Sequence, residues 1–419
     1  RDRALRDTKR FSDYGTGLLL TDSFRDQALG HYLRDRIRYW RYFATGDRIP
    51  ETVEHGRGHV QRLLEFTRQV LTAIRSTGSA LNDNQLLVLV AAIWLHDIGH
   101  SGDWLSIDKD LFDAASGDYS LRDDPEQVRA AHHILSAEII WQEREFLFGP
   151  AEAWPLSSQG LDYSAFVQSV RLTALYHRKS MPGPTDIVLP KEFDKKTLPG
   201  IKAKYRYTDD GIMSRTIFKE APDRFCEVVA LLRFIDGSDN QNERAGDPAF
   251  YEVLQWTINR HVSSLRKSRK ALTKAIKSCC ATGQPAPQIA DALSQIRRQI
   301  KFKTAQPGHY KKHRLLQHVF LVRAVDTDSA SFHTYGKDDL EKHPFILEGY
   351  AVANESAREA YCDDEVAREI LHGWVQEYLL TEEHLPFRFR VFLLKNDGTR
   401  KSLASNVSAD NAKVDVKWR

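Results

Sequence analysis

The stretch LLVLVAAIWLHDIGH, residues 86–100, sets a ten-residue apolar run, Leu86–Leu95, directly against His96, Asp97, Gly99 and His100. Ten residues are too few to cross a bilayer, which takes about 20, so the run reads as an apolar helix and not as a membrane span. Asn82 or Asp83 stands where a helix cap belongs, and Gly99 stands where the helix can unwind. Adjacent His and Asp side chains at such an end can converge on one cation. Taken alone, the dipeptide is explained equally well by a helix terminus that favours a histidine through the backbone dipole.

Around this run the spacing predicts further helices. Val60, Leu63, Leu64, Phe66, Val70, Leu71 and Ile74 form one stripe over Arg57–Ile74. Asp124-Pro125, a capping acid followed by proline at the first helical position, opens a helix to about Arg144. Others cover about Tyr163–His177 and Pro222–Asp236. Between those two, Ser180–Ala221 is rich in Pro, Gly, Lys and Asp and long for a connection, so it reads as a lid or a disordered insertion. The texture changes after the break Gly283–Pro287. His318–Val325, Phe345–Val352 and Phe387–Leu394 carry the β-branched and aromatic residues of strands. Asn396-Asp397-Gly398 reads as a hairpin turn, and an amphipathic helix over about Ser356–Leu380 lies among the strands. The expected fold class is mainly α: a helical bundle over residues 1–300, then a small C-terminal α+β domain over 301–419.

Composition narrows the function. The chain has 419 residues, 42% apolar, 28% charged and 10% aromatic, which excludes a disordered or fibrous protein. No run reaches membrane-spanning length, and no Gly-rich phosphate loop of the Walker or dinucleotide type is present. Cys226, Cys279, Cys280 and Cys362 show neither metal-ligand spacing nor a disulfide framework, so a reducing compartment, the cytoplasm, is expected. Arg1 rather than Met stands first, so the sequence is silent on a preceding targeting segment and equally silent on oligomeric state. The net charge of +3 conceals a concentration: Arg260–Arg314 carries fourteen Lys and Arg against the single acid Asp291. Such a segment can hold nucleic acid, another polyanion or a protein partner, or it can be a solvated helix face. Trp256, Phe302 and Tyr310 are too few aromatics for a single-strand stacking platform, which favours the solvated or protein-docking face.

Four further residues on separate predicted helices change the reading of His96-Asp97: His59, His132, His177 and Asp236. Helical bundles build metal sites by projecting His and carboxylate side chains inward from facing helices, and this donor set suits Mn, Fe, Ni, Zn or Mg. The order His59, His96-Asp97, His132, His177, Asp236 resembles that of the HD-domain metal-dependent phosphohydrolase superfamily. So do the flanking runs His-Val-Gln-Arg-Leu at 59–63, Leu-His-Asp-Ile-Gly-His at 95–100 and Leu-Leu-Arg-Phe-Ile-Asp-Gly-Ser-Asp at 231–239. The resemblance covers about residues 50–245, and the tail after 300 resembles the C-terminal extensions of HD modules in bacterial conflict systems. It implies that His59, His96, Asp97 and Asp236 hold one divalent metal, and that Asp97 bridges to a second held by His132 and His177. His55, His133 and Asp239 lie close enough in sequence to take the places of His59, His132 and Asp236.

Two cations about 3.5–4 Å apart can polarise a phosphoryl oxygen and acidify a water. The expected activity is therefore hydrolysis of a phosphoester or phosphoanhydride in a nucleotide-like small molecule. Asp97, His100 and Lys179 are the expected catalytic groups, His100 as proton donor to the leaving group or as a helix cap. Arg178 and Lys179 directly follow a ligand and are placed to hold a phosphate or to be surface charge. Arg233, one turn before Asp236, and Asp239 complete the expected substrate contacts. His-Asp-Ile-Gly-His is similar to the run in deoxynucleoside triphosphate triphosphohydrolases, whereas Tyr-His-Arg-Lys-Ser at 176–180 is similar to exopolyphosphatases. The residues after His177 depart from the GYP signature, which argues against the cyclic dinucleotide branch. A single-strand nuclease and a nucleotide-binding or scaffolding module without turnover are the alternatives.

Overall fold

Asn82 starts the helix that carries the decisive run. Its side chain accepts the Gln85 N–H at 2.9 Å while the Gln85 side-chain oxygen accepts the Asn82 N–H at 3.0 Å, a reciprocal cap that satisfies two helix-end donors. The helix runs Asp83–Leu95, and every residue from Leu86 to Leu95 is buried. A helix apolar all round must be surrounded, and the rest of the bundle surrounds it.

The computed structural model describes residues 27–43, 55–74, 81–101, 125–178, 212–240, 248–282, 287–323, 345–353, 373–394, 400–405 and 416–418. In chain order the helices are α1 (Gln27–Phe43), α2 (Arg57–Ile74), α3 (Asp83–Leu95), α4 (Pro125–Gln142), α5 (Arg144–Phe148), α6 (Tyr163–Tyr176), α7 (Pro222–Ser238), α8 (Pro248–Ala281) and α9 (Pro287–Leu315). The strands are β1 (Leu316–Arg323), β2 (Ile346–Ala353), β3 (Arg388–Leu394), β4 (Arg400–Ser405) and β5 (Val416–Trp418). The protein is thus mainly helical with a small α+β part. No helix among the described residues is long and apolar enough to cross a membrane.

The elements follow the expected spacing with instructive departures. The helix begun at Pro125 ends at Gln142, and a separate short α5 follows. The sequence reading passed over α1, yet Leu33 and Trp40 are fully buried and the Trp40 indole donates to the Leu147 carbonyl at 2.8 Å. Residues 212–221, expected to belong to a lid or disordered insertion, instead anchor on the bundle through Thr216 and Phe218, while Ser214, Arg215, Lys219 and Glu220 stay exposed. Phe218 is buried, and the Ile217 N–H donates to Ser169 Oγ at 3.1 Å. The remainder of that insertion and the turn at 396–398 lie outside the described residues. Helix α9 continues past residue 300 to Leu315, and it pairs with α8 through Leu254, Ile258, Val262 and Ile300.

The sheet has the order β1-β2-β3-β4-β5, antiparallel except for the parallel β2–β3 pair. A parallel pair needs a crossover, and this one contains the helical turns 373–379. Gly349 in β2 has no side chain because Trp374 occupies the space; a Cβ there would lie 2.8 Å from Phe389 as well. The sheet shares its apolar core with the bundle. The Leu321 N–H donates to Gln69 Oε1 on α2 at 2.7 Å, and the Trp374 indole donates to Ser238 Oγ on α7 at 2.8 Å. Phe234 of α7 meets Phe387 and Phe389 edge-on, with ring centroids 5.2 and 4.9 Å away.

After α3 the chain makes a short 3-10 turn, Ile98–Ser101, pressed on α4. The Gly99 N–H donates to Ser136 Oγ at 2.9 Å. A Cβ on Gly99 would collide with the His132 carbonyl and lie 2.7 Å from Ser136 N. Backbone on both sides cannot give way cheaply, so Gly99→Ala is expected to cost about 1–3 kcal/mol by overpacking. Thermal unfolding of the purified variant checks this, and an unchanged midpoint would show that the turn can move off α4.

Candidate metal centre

His96, His132 and His177 are each oriented by the backbone of their own helix, His96 and His177 at its C-terminal end and His132 in mid-helix. The Nδ1–H of His96 donates to the Ile93 carbonyl at 3.0 Å, that of His132 to the Arg129 carbonyl at 2.6 Å, and that of His177 to the Ala174 carbonyl at 2.6 Å. His59, on α2, uses a distant partner instead: its Nδ1–H donates to the Asp239 carboxylate at 2.6 Å. A carbonyl only accepts, so a proton sits on Nδ1 of these rings and Nε2 faces inward. Metal-binding imidazoles are held in this way.

Asp97 lies at the focus, and its two oxygens face different histidines. Oδ2 is 2.9 Å from His55 Nδ1, 3.3 Å from His96 Nε2 and 3.7 Å from His59 Nε2. Oδ1 is 3.4 Å from His132 Nε2, 3.6 Å from His177 Nε2 and 3.7 Å from His100 Nε2. Asp236 closes the first group, its Oδ1 3.2 Å from His59 Nε2. Among the described residues, three sets have donor atoms within 4.8 Å of one another: His59 with His96 and Asp236, His96 with Asp97 and His177, and His55 with Asp97 and His100. His59 Nε2 and His96 Nε2 are buried without a well-aligned hydrogen bond. The His132 and His177 Nε2 atoms face each other at 3.1 Å, and two lone pairs at that distance repel unless a positive charge lies beside them. The residues therefore fit a divalent cation at this place.

The electrostatics agree. Burial alone would raise the Asp97 carboxyl, but the imidazoles of His96, His55 and His100 outweigh it and hold Asp97 well below the usual carboxylate range. Asp236 is lowered in the same way, burial being overcome by the neighbouring imidazoles of His59 and His96. Burial pushes His96 down, yet the Asp97 carboxylate beside it prevails and raises it to about 9. Burial, reinforced by neighbouring imidazoles, lowers His100 and His132 well below the ordinary histidine value, and burial lowers His177. One ring thus holds a proton that offsets the carboxylates, while three neighbours are kept as neutral donors.

The structure brings together His59, His96, Asp97, His132, His177 and Asp236, the six expected ligands. His133 is buried, but His132 is the ring that faces Asp97. His100 is sandwiched between His55, at 4.4 Å, and His132, at 4.0 Å, with near-parallel rings. Arg178 is exposed beside the centre, and its charge reaches His100 and His132. Lys179 lies outside the described residues. Two expected substrate contacts are corrected. Asp239 is fully buried behind His59, one oxygen on His59 and the other accepting from Arg62 Nε at 2.8 Å. Arg233 is buried and turns toward the extension, its Nη2 3.2 Å from Glu377 Oε2. Sequence reading missed Arg62 and Arg129. Arg62 carried a signal, because it is the Arg of His-Val-Gln-Arg-Leu one turn after His59; Arg129 carried only its place one turn before His132.

Two measurements probe the centre. Asp239→Ala removes the group that orients His59 and is expected to weaken metal binding about 10–100-fold while the protein stays folded; titration with Mn followed by calorimetry reads this. Because His96 is protonated below about 9, a cation must displace that proton. Apparent metal affinity is expected to rise about tenfold per pH unit from pH ~6 to ~8, with proton release seen as a buffer-dependent heat.

Comparison with known proteins adds the family. A family model described as HD-CE, an HD domain with a C-terminal extension, matches residues 49–379. No match was found among curated proteins or among solved structures. HD-type domains are in general metal-dependent hydrolases that bind divalent cations. The matched residues take in α2–α9, the first two strands and the crossover turns that hold α7. This chain belongs to the HD-CE family.

Proposed function

We propose that the protein is a metal-dependent phosphohydrolase with a dinuclear centre, acting on a phosphoester or phosphoanhydride of a nucleotide-like substrate. The observation that carries this reading is the division of Asp97. One of its oxygens faces His59 and His96, with Asp236 against His59, and the other faces His132, His177 and His100. Divalent cations bound there supply Lewis acidity toward a phosphoryl oxygen and make an attacking water acidic.

The chain's own residues do the rest. The backbone carbonyls of Ile93, Arg129 and Ala174 and the Asp239 carboxylate hold the imidazoles still, so no reorganisation is needed when charge develops. Asp236 is the most open of the six ligand side chains, 27% exposed, and marks where substrate approaches. Arg178 stands exposed beside the histidines and presents a guanidinium fork to a phosphate. His100, stacked between His55 and His132 and kept neutral by burial, lies 3.7 Å from Asp97 and helps to hold that carboxylate rather than to protonate a leaving group.

The test has two parts. Elemental analysis is expected to find about two ions per wild-type chain, about one in His132→Ala or His177→Ala, and close to none in Asp97→Ala. Phosphate or pyrophosphate release is then measured over nucleoside mono-, di- and triphosphates, cyclic nucleotides, polyphosphate and single-stranded DNA with Mn, Fe, Ni, Zn or Mg. Turnover that is lost in Asp97→Ala and in His132→Ala is expected. Metal binding without turnover on any of these would leave a nucleotide-sensing role; unchanged turnover in the variants would overturn the assignment.

A further inference from the structure

Helix α8 is 34 residues long and segregates its charges. Arg260, Ser263, Lys267, Lys270, Lys274 and Lys277 follow one another at alternating spacings of three and four, which places them along a single face. Arg266 lies beside them. All of these residues are exposed, and the row extends about 26 Å at the helical rise per residue. The opposite face is occupied: Leu254, Ile258 and Val262 are buried against α9. The acids on α8 and α9 are Glu252 and Asp291 alone, and Glu252 lies on the same face two turns before Arg260, about 12 Å ahead of the row.

We propose that this face of α8 is a sequence-independent docking surface for the phosphate backbone of duplex nucleic acid. A row of cations without acids among them is the footprint that a polyanion requires. Among the cations stand the exposed hydroxyls of Ser263 and Ser278, which can donate to phosphate oxygens and let the backbone come close. The face carries no exposed large apolar residue from 259 to 282. An amphipathic helix that lies in a membrane needs such residues, and so does the core of a protein interface. Single strands need stacking platforms, and the exposed aromatic described near this end, Trp256, is covered in part by Arg260, 5.5 Å from its ring. Binding requires no turnover.

The experiment uses the full chain in chelator and a fluorescent duplex DNA of about 20 base pairs, read by anisotropy. With about six phosphate contacts, affinity is expected to fall about 10³-fold between about 50 and about 200 mM salt. Removing three contacts in Lys267→Glu/Lys270→Glu/Lys274→Glu should reduce that fall to about 40-fold. The neutral triple variant to Gln should show the same reduced salt dependence, and circular dichroism of both should match the wild type. Absence of duplex binding at the lowest salt overturns the proposal. So does a salt dependence unchanged in both variants, a single strand bound more tightly than the duplex, or binding to vesicles of anionic lipid in place of DNA.

Discussion

The Asp97 carboxylate is buried among imidazoles, and the rest of the molecule depends on keeping them together. An uncompensated buried charge costs several kcal/mol; here His96 carries the compensating proton, and His132, His177 and His100 present neutral nitrogens to the other oxygen. These residues come from the end of α3, from α4 and from the end of α6, with His59 on α2 and Asp236 on α7. No pair of helices could assemble them. The apolar run of α3, packed on all sides, is what holds the five in register.

Orientation is achieved at two scales. His96, His132 and His177 each donate to the carbonyl three residues earlier in its own helix, so their ring directions follow from local backbone. His59 relies on Asp239, from just beyond the end of α7, and Asp239 relies in turn on Arg62. This is the link that tertiary structure must make, and it ties α2 to the segment that also carries Asp236.

That segment is held from its far side by the extension. Trp374 bonds Ser238, Glu377 meets Arg233, and a Cβ on Gly237 would lie 3.0 Å from the Glu377 side chain. The sheet thus belongs to the same core as the bundle, and the helix end that presents Asp236 is braced between them. The Gly349 gap filled by Trp374 shows how closely the crossover turns must approach.

Much of this was legible in the sequence because the signals are local. The run Leu86–Leu95, the Asn82 cap, the Asp124-Pro125 start and the β-branched stretches 318–325, 345–352 and 387–394 each encode an element through short-range physics. His59, His96-Asp97, His132, His177 and Asp236 could be named because motif order survives without coordinates. Other features depend on partners far away in the chain. Asp239 looked like a substrate contact until α2 placed His59 and Arg62 against it; Arg233 looked toward the site until Glu377 appeared beside it. The division of histidines between the two oxygens of Asp97, the stacking of His100 between His55 and His132, and the burial of Phe218 were likewise decided only by tertiary packing. Periodicity reports which face of a helix is buried, whereas which side chain then meets which is set by how the helices cross.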